Sequence, residues 1–345
     1  MRNLLTVEYP PITSFPSIAN LLSSIWINKD VVMSWFADRY IQLISRTNEP
    51  DWLNFLDGLY LNNTQPADFC PFCTTQTIDK RVPLIGSGNF TDFIEQQIDC
   101  GYYIDTCLNH YFLKCSSKYN NEHFMHATFI YGYDKANKQI MISDFYDSGK
   151  YQSKIASYDE INKSFDLKYF NNWPGWIYGI NLYKYVDFPY KTNIPLLKQS
   201  LEDYISGVDS QNKYYFSYQW SSFADAATDD SFYGVGCYDA IINYCNESNS
   251  YLDNRTFHVI YDHKAAMQLR LEFLKKLGYL KSGEQTNKLD TMVSKLKDEA
   301  FVLRNMVLKY NINRRNSLLK SIMNKCEILK ENDIAFTSLF LQQIK

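Results

Sequence analysis

The stretch from His123 to Tyr146 constrains the fold more than any other part of the chain. Two runs rich in Ile, Tyr and Phe, Phe124–Tyr133 and Gln139–Tyr146, flank the polar segment Asp134-Lys-Ala-Asn-Lys138. Apolar, β-branched and aromatic runs on either side of a turn composition read as an antiparallel hairpin. A second turn composition, Asp147-Ser148-Gly149, closes the second run. Tyr102–Asp105, Tyr111–Leu113 and Trp176–Tyr185 have the same character and are read as further strands.

Helical patterns surround this sheet region. Leu21, Leu22, Ile25 and Trp26, then Val32, Trp35, Phe36, Tyr40, Leu43 and Ile44, fit two helices over 16–47 joined near Asn28 to Asp30. Residues 51–88 carry Gly58, Pro66, Pro71, Pro83, Gly86 and Gly88, a loop-rich stretch with one short helix over Pro71–Ile78. A helix over Phe90–Ile98 ends at Cys100-Gly101, where glycine suits a left-handed cap. Beyond Pro195 three- and four-residue spacing takes over, as in Ala266, Leu269, Phe273 and Leu277, and in Leu289, Met292, Val293, Leu296, Ala300, Leu303, Val307 and Tyr310. The fold class is α+β. Two domains are expected, residues 1–190 and a mainly helical 191–345.

A net charge of −3 supplies no basic footprint, so neither nucleic acid nor an anionic membrane is expected as a partner. No run of 18 apolar residues occurs, and Met1–Pro10 lacks the apolar region of a signal peptide, so the protein reads as cytoplasmic. Eight irregularly spaced cysteines then read as reduced thiols. The 28 tyrosines and 22 phenylalanines fill cores and can line pockets for extended acyl groups.

With residues 134–138 as the loop, Tyr133 pairs with Gln139, Thr128 faces Asp144 and His126 faces Tyr146. His126 and Asp144 then share a face as diagonal neighbours, roughly 7–8 Å apart at Cβ, which suits a base and its orienting carboxylate. A slip of one residue would separate them onto opposite faces, and a buried His–Asp pair can also be purely structural. A base needs a nucleophile, and Cys70 is favoured. Pro71 suits a first helical position, which would make Cys70 the cap of a helix whose dipole stabilises a thiolate. Gln76 is the side chain assigned as donor to a tetrahedral oxyanion.

Cys70-Pro-Phe-Cys73 is also a dithiol redox pattern, but it follows Leu61-Asn-Asn-Thr-Gln-Pro-Ala-Asp and not an apolar strand. Cys100, Cys107 and Cys115 supply no second close pair for zinc, so no metal is expected. Cys237, Cys245 and Cys326 read as core residues. His258 and His263 flank a helix start and read as local hydrogen-bonding residues. No Gly-rich phosphate loop is present, and no cofactor is expected.

The segment from Gly101-Tyr-Tyr-Ile through His123-Phe-Met-His126, with Ile130-Tyr-Gly-Tyr-Asp134 and Ser143-Asp144-Phe-Tyr up to Gly149-Lys-Tyr151, resembles the family of the butirosin-biosynthesis protein H. That family is similar to papain-like and bacteriocin-processing cysteine peptidases. Arg255-Thr-Phe-His-Val-Ile-Tyr and Ala300-Phe-Val-Leu-Arg-Asn resemble its second half. The resemblance implies a papain-like fold and transfer of an acyl group from a carrier-protein thioester to an amine in natural-product assembly. It makes His126 the base and Asp144 its orienter, and names a carrier protein and a small amine as partners. The family places its cysteine before the first long helix, where this chain has Thr13-Ser14-Phe-Pro-Ser17. Cys70 in a shifted loop, Ser14 or Ser17, or loss of the nucleophile are the three solutions, in that order. A cysteine peptidase and a carrier-docking module without chemistry are the competing functions.

Overall fold

The computed structural model describes residues 2–46, 49–56, 66–86, 88–147, 149–170, 179–210, 231–247 and 251–345. Two compact units emerge. One comprises Met1–Lys29 and Asn62–Pro189, the other Asp30–Leu61 and Tyr190–Lys345. The division expected at 190/191 gave residues 30–61 to the first half, whereas they group with the second unit.

In chain order, the first unit opens with β1 (Arg2–Leu4) and α1 (Pro16–Ile25), and the second unit takes α2 (Lys29–Phe36), β2 (Leu43–Arg46) and β3 (Glu49–Phe55). The first unit resumes with β4 (Cys73–Asp79), α3 (Arg81–Gly86), α4 (Phe90–Asp99), β5 (Tyr103–Asn109), β6 (Met125–Asp134), β7 (Gln139–Phe145), β8 (Tyr151–Ser157), α5 (Tyr158–Ser164) and β9 (Gly179–Tyr185). The rest belongs to the second unit: α6 (Ile194–Ser206), β10 (Phe232–Tyr233), α7 (Cys237–Glu247), α8 (Asn254–Lys276), α9 (Glu284–Asn313) and α10 (Asn316–Gln343).

The first unit is built on a seven-stranded sheet in the order β4-β9-β5-β6-β7-β8, with β1 added to the end of β6. All its pairings are antiparallel. Because side chains alternate between faces, the ladder Ile104–Ile130–Ile142 defines one face. Phe90, Phe93, Ile94 and Ile98 of α4 and Ile161 of α5 pack on it, with Leu108, Ile180 and Leu182. Capping explains where these helices start and stop. Asn89 accepts from the Asp92 amide at 2.9 Å, and Ser157 and Glu160 close a capping box on α5. Gly101, at φ +82°, ends α4 as expected.

The other face stacks Tyr103, Phe129 and Tyr183 and carries Asp105, paired with Phe129 and Asn181. Helix α1 packs on β5, β6 and β7, and its Asn20 accepts a hydrogen bond from Tyr151 at 2.8 Å. Pro16 sits at its first position after an extended Phe15.

In the second unit β2 is the middle of a small sheet ordered β10-β2-β3. Helices α9 and α10 form an antiparallel pair, joined by Arg314 and Arg315 with Arg314 left-handed at φ +51°. Lys264 of α8 is fully buried, ion-paired to Asp333 of α10 and bonded to Tyr204 Oη at 3.1 Å. Tyr204 and Tyr238 both donate to the same carboxylate, at 2.6 and 3.2 Å. Gly234, at φ +54°, lies so close to α6 that a Cβ would meet the Tyr204 carbonyl oxygen at 2.1 Å.

Several expectations need correction. The helix read over Pro71–Ile78 is a strand, β4, which follows a short 3-10 helix at Pro66–Phe69 and a turn closed by the Cys73 amide on the Cys70 carbonyl at 3.2 Å. Thr74, Thr75, Thr77 and Ile78 are β-branched, and pairing with β9 decides the state. Leu43 and Ile44, read as helical, form β2 against β3. Tyr111–Leu113 is not a strand, because a 3-10 turn occupies His110–Phe112. Residues 176–178 of the expected last strand lie outside the described residues. His258 and His263 lie inside α8, and His263 donates from Nε2 to the Ile41 carbonyl at 2.8 Å, a distant partner.

Candidate active site

Asp144 is the next-to-last residue of β7 and His126 the second of β6. The strands pair Phe129 with Ser143 and Ile130 with Ile142, the register expected for this part of the hairpin. Nearer the turn Tyr133 pairs with Ile140, not Gln139, and a bulge at Tyr131 absorbs the difference. The turn is one residue shorter than expected, and the bulge restores the phase. His126 Nδ1 consequently lies 2.8 and 2.9 Å from the two oxygens of Asp144.

Burial separates the roles of the two side chains. Asp144 is inaccessible, whereas the His126 side chain is 24% exposed. Phe124 stacks on the His126 ring at 5.2 Å and Phe145 meets it edge-on at 6.2 Å. Asp144 also accepts from the Phe145 amide at 2.7 Å, from Thr128 Oγ1 at 3.3 Å and from His110 Nε2 at 3.0 Å. Burial alone would push its carboxyl up. The adjacent His126 and the hydrogen bonds from His110 and His126 outweigh burial and hold it well below the usual carboxylate range. Asp144 is therefore an anion throughout the neutral range.

Cys70 is not brought to this pair. Cys73 pairs with Tyr185, two residues beyond the Tyr183–Tyr103 pair, and His126 pairs with Leu108, five residues the other way and three strands across. At ~3.3 Å per residue and ~4.8 Å per strand the two sites are about 25 Å apart. Three residues of chain span at most ~10 Å, so Cys70 cannot close that gap. Cys70 is buried, and no helix begins at Pro71 to stabilise a thiolate. The Cys73 thiol is pushed well up by its hydrogen bond to Cys70 and by burial. Gln76 lies on β4, where its amide donates to Tyr102 Oη at 3.1 Å.

The other cysteines offer no substitute. All eight are free thiols. Burial pushes Cys107 and Cys115, in the same unit, up to about 12 each. Ser14 and Ser17 bracket the start of α1 and are both buried. Asn20 meets Tyr151, while Ser23 is tied to Glu8 and Tyr103 donates to Thr6. Helix α1 thus runs from the Leu108 end of β5 toward its Tyr103 end, which sets Ser14 and Ser17 at the His126 end of the sheet but over the opposite face.

His110 is the member of the site that the sequence reading missed. The alternation Ile104, Thr106, Leu108 on β5 leads to position 110 on the face of His126. Ending the strand at Asp105 hid that signal. Ligand atoms of His110, His126 and Asp144 all lie within 4.8 Å of one another, a two-imidazole, one-carboxylate set of the kind that holds zinc or iron. Here one nitrogen of each imidazole, His110 Nε2 and His126 Nδ1, is at hydrogen-bonding distance from the carboxylate, and Thr128 and the Phe145 amide use the remaining lone pairs, so the set is closed as hydrogen bonds. Chemically it is a partly exposed imidazole backed by a buried anion. The chain matches no family model, and no curated protein matches it.

Proposed function

We propose that this protein transfers an acyl group from a thioester to an amine, with His126 as the proton-handling base and Asp144 as its orienter. The observation that carries the reading is the contact of His126 Nδ1 with both oxygens of a buried, ionised Asp144 while part of the imidazole stays accessible. The Asp144 contact selects Nδ1–H, so Nε2 is the nitrogen that exchanges protons with substrate. The amine nitrogen attacks the thioester carbonyl, forming the C–N bond, and its proton passes to Nε2. The C–S bond then breaks, and the departing thiolate takes that proton from the imidazolium.

The papain-like arrangement and the carrier-protein donor rest on the resemblance of Gly101–Tyr151. Helix α1 lies over the face that carries Asp105, opposite the face of His126 and Asp144, so it adds no support of its own to that arrangement. The raised thiols and the distance of Cys70 favour direct aminolysis over a cysteine-linked intermediate. The test uses an N-acetylcysteamine acyl thioester and a primary alkylamine, with amide followed by mass spectrometry. Amide formation that is lost in His126→Gln and kept in Cys70→Ala is expected. A rate no faster than spontaneous aminolysis, or an unaffected His126→Gln variant, refutes the reading. An acyl adduct mapped to Ser14 or Ser17 would replace direct aminolysis with a serine relay.

A further inference from the structure

We infer that His110 is a positioning residue for His126: both imidazoles donate an N–H to Asp144, His110 from Nε2 and His126 from Nδ1, and the first donor holds the carboxylate where the second needs it. The inference rests on the reading of His126 as the base.

The direction of each hydrogen bond can be followed from the surface inward. The Lys118 amide donates to Ser116 Oγ at 3.1 Å. The Ser116 hydroxyl hydrogen then has His110 Nδ1, 3.2 Å away, as its acceptor. An imidazole that accepts at Nδ1 carries its proton at Nε2 when neutral. That proton faces Asp144 Oδ2 at 3.0 Å. The ring cannot turn to present the other nitrogen without breaking its packing. It is 1% exposed, stacked on Tyr146 at 5.4 Å and set edge-on to Phe124 at 5.8 Å and to His126 at 5.6 Å.

The consequence for Asp144 is mechanical. Its Oδ2 is held by His110 and Thr128, and its Oδ1 by the Phe145 amide, so the carboxylate plane is fixed before His126 contributes. A fixed plane aligns the base, and misplacement of a reacting group by about 1 Å can cost ~100-fold in rate. Ser116 lies in the connection between β5 and β6, in a turn whose amide bonds to the Leu113 carbonyl at 2.9 Å. The order of that connection is thereby coupled to the base.

The test reads the tautomers directly. With only five histidines, full-length protein labelled with 15N-histidine gives a small set of long-range proton–nitrogen correlations, assigned through the variants. In the wild type His110 should show the Nε2–H form and His126 the Nδ1–H form. His110→Phe keeps a ring against Tyr146 but removes the donor. In it His126 should become a mixture of tautomers and amide formation should fall by up to about 100-fold. His110→Gln, whose amide nitrogen can take the place of Nε2, should restore the single tautomer and most of the rate. Ser116→Ala should blur the tautomer of His110 without unfolding the chain.

An Nδ1–H form of His110, or a His126 tautomer unmoved in His110→Phe, overturns the inference. So does one zinc ion per chain shifting both sets of signals, because the cluster would then be a metal site. If thioester turnover needs His126 but is indifferent to His110, the inference alone fails. If the two tautomers are coupled but no thioester is turned over, the proposed reaction fails and the coupling stands.

Discussion

Asp105 offers a prediction whose size follows from the structure. It lies in the middle of β5, 4% exposed, on the face that carries α1. Burial pushes its carboxyl up to about 7. The Asn20 side chain opposes that shift, the negative charge of Asp144 adds to it, and His126 opposes it. The folded state therefore keeps a proton that the unfolded chain releases near 3.8. For a raised acid the sign is unfavourable: stability is greatest below the unfolded value, declines as pH rises from about 4 to about 7, and is flat above that. Three units at 1.36 kcal/mol each set the full cost at about 4 kcal/mol, of which about 2.5 kcal/mol develops between pH 5 and pH 8. Asp105→Asn keeps the shape and removes the titration. Urea denaturation of both proteins at pH 5, 6, 7 and 8 should show the variant gaining about 2.5 kcal/mol on the wild type across that range. A difference that does not change with pH, or that is larger at pH 5, would refute the assignment of a buried, reluctantly ionised carboxyl.

Asp144→Asn should leave the melting curve readable while lowering amide formation by about 10⁴-fold, by analogy with the loss of an orienting carboxylate elsewhere; initial rates at saturating thioester decide, and near wild-type turnover defeats the base assignment. Lys264→Met strands Asp333 among tyrosines without its cation and should cost about 3–5 kcal/mol in denaturant titration, whereas an unchanged midpoint would mean that the pair is not coupled to folding. Gly234→Ala places a methyl against the Tyr204 carbonyl, and should yield little soluble protein or a melting temperature lower by several degrees. A wild-type melt would mean that α6 can move aside.

The sequence made the central hairpin legible because Phe124–Tyr133 and Gln139–Tyr146 are long and uniformly β-forming, with an unambiguous turn between them. The His126–Asp144 contact follows from that hairpin, although the turn is one residue shorter than its composition suggests. Residues 43–46 and 73–79 carry weak local signals because remote pairing decides their state: β2 lies between its sequence neighbour β3 and the remote β10, and β4 pairs with β9, about a hundred residues away. Pro71 looked like a helix start because proline suits a first helical turn and a tight turn equally well. His110 escaped notice because a 3-10 turn begins at it, and period-two alternation is not sought beyond a strand's apparent end. The grouping of residues 30–61 with the C-terminal half had no local signal at all.

The bulge at Tyr131 gives the site a parity. From Gln139 to Asp144 the outgoing strand takes five steps, and if β6 kept all its residues but paired without the bulge, Asp144 would stand level with Phe129 and face away from His126. A backbone irregularity that contributes no group to the chemistry thus keeps acid and imidazole on one face. The loop at 135–138 is free of that constraint. It can lengthen or shorten without disturbing the count, because the ladder is re-indexed only between Ile130 and Gly132. Lineages of this chain can therefore drift in the length of the hairpin tip and keep the site. A single-residue deletion at position 131 would leave Ile130 opposite Ile142 and Thr128 level with Asp144, a regular ladder that keeps the pair, whereas a one-residue change between His126 and Ile130 would turn His126 to the other face.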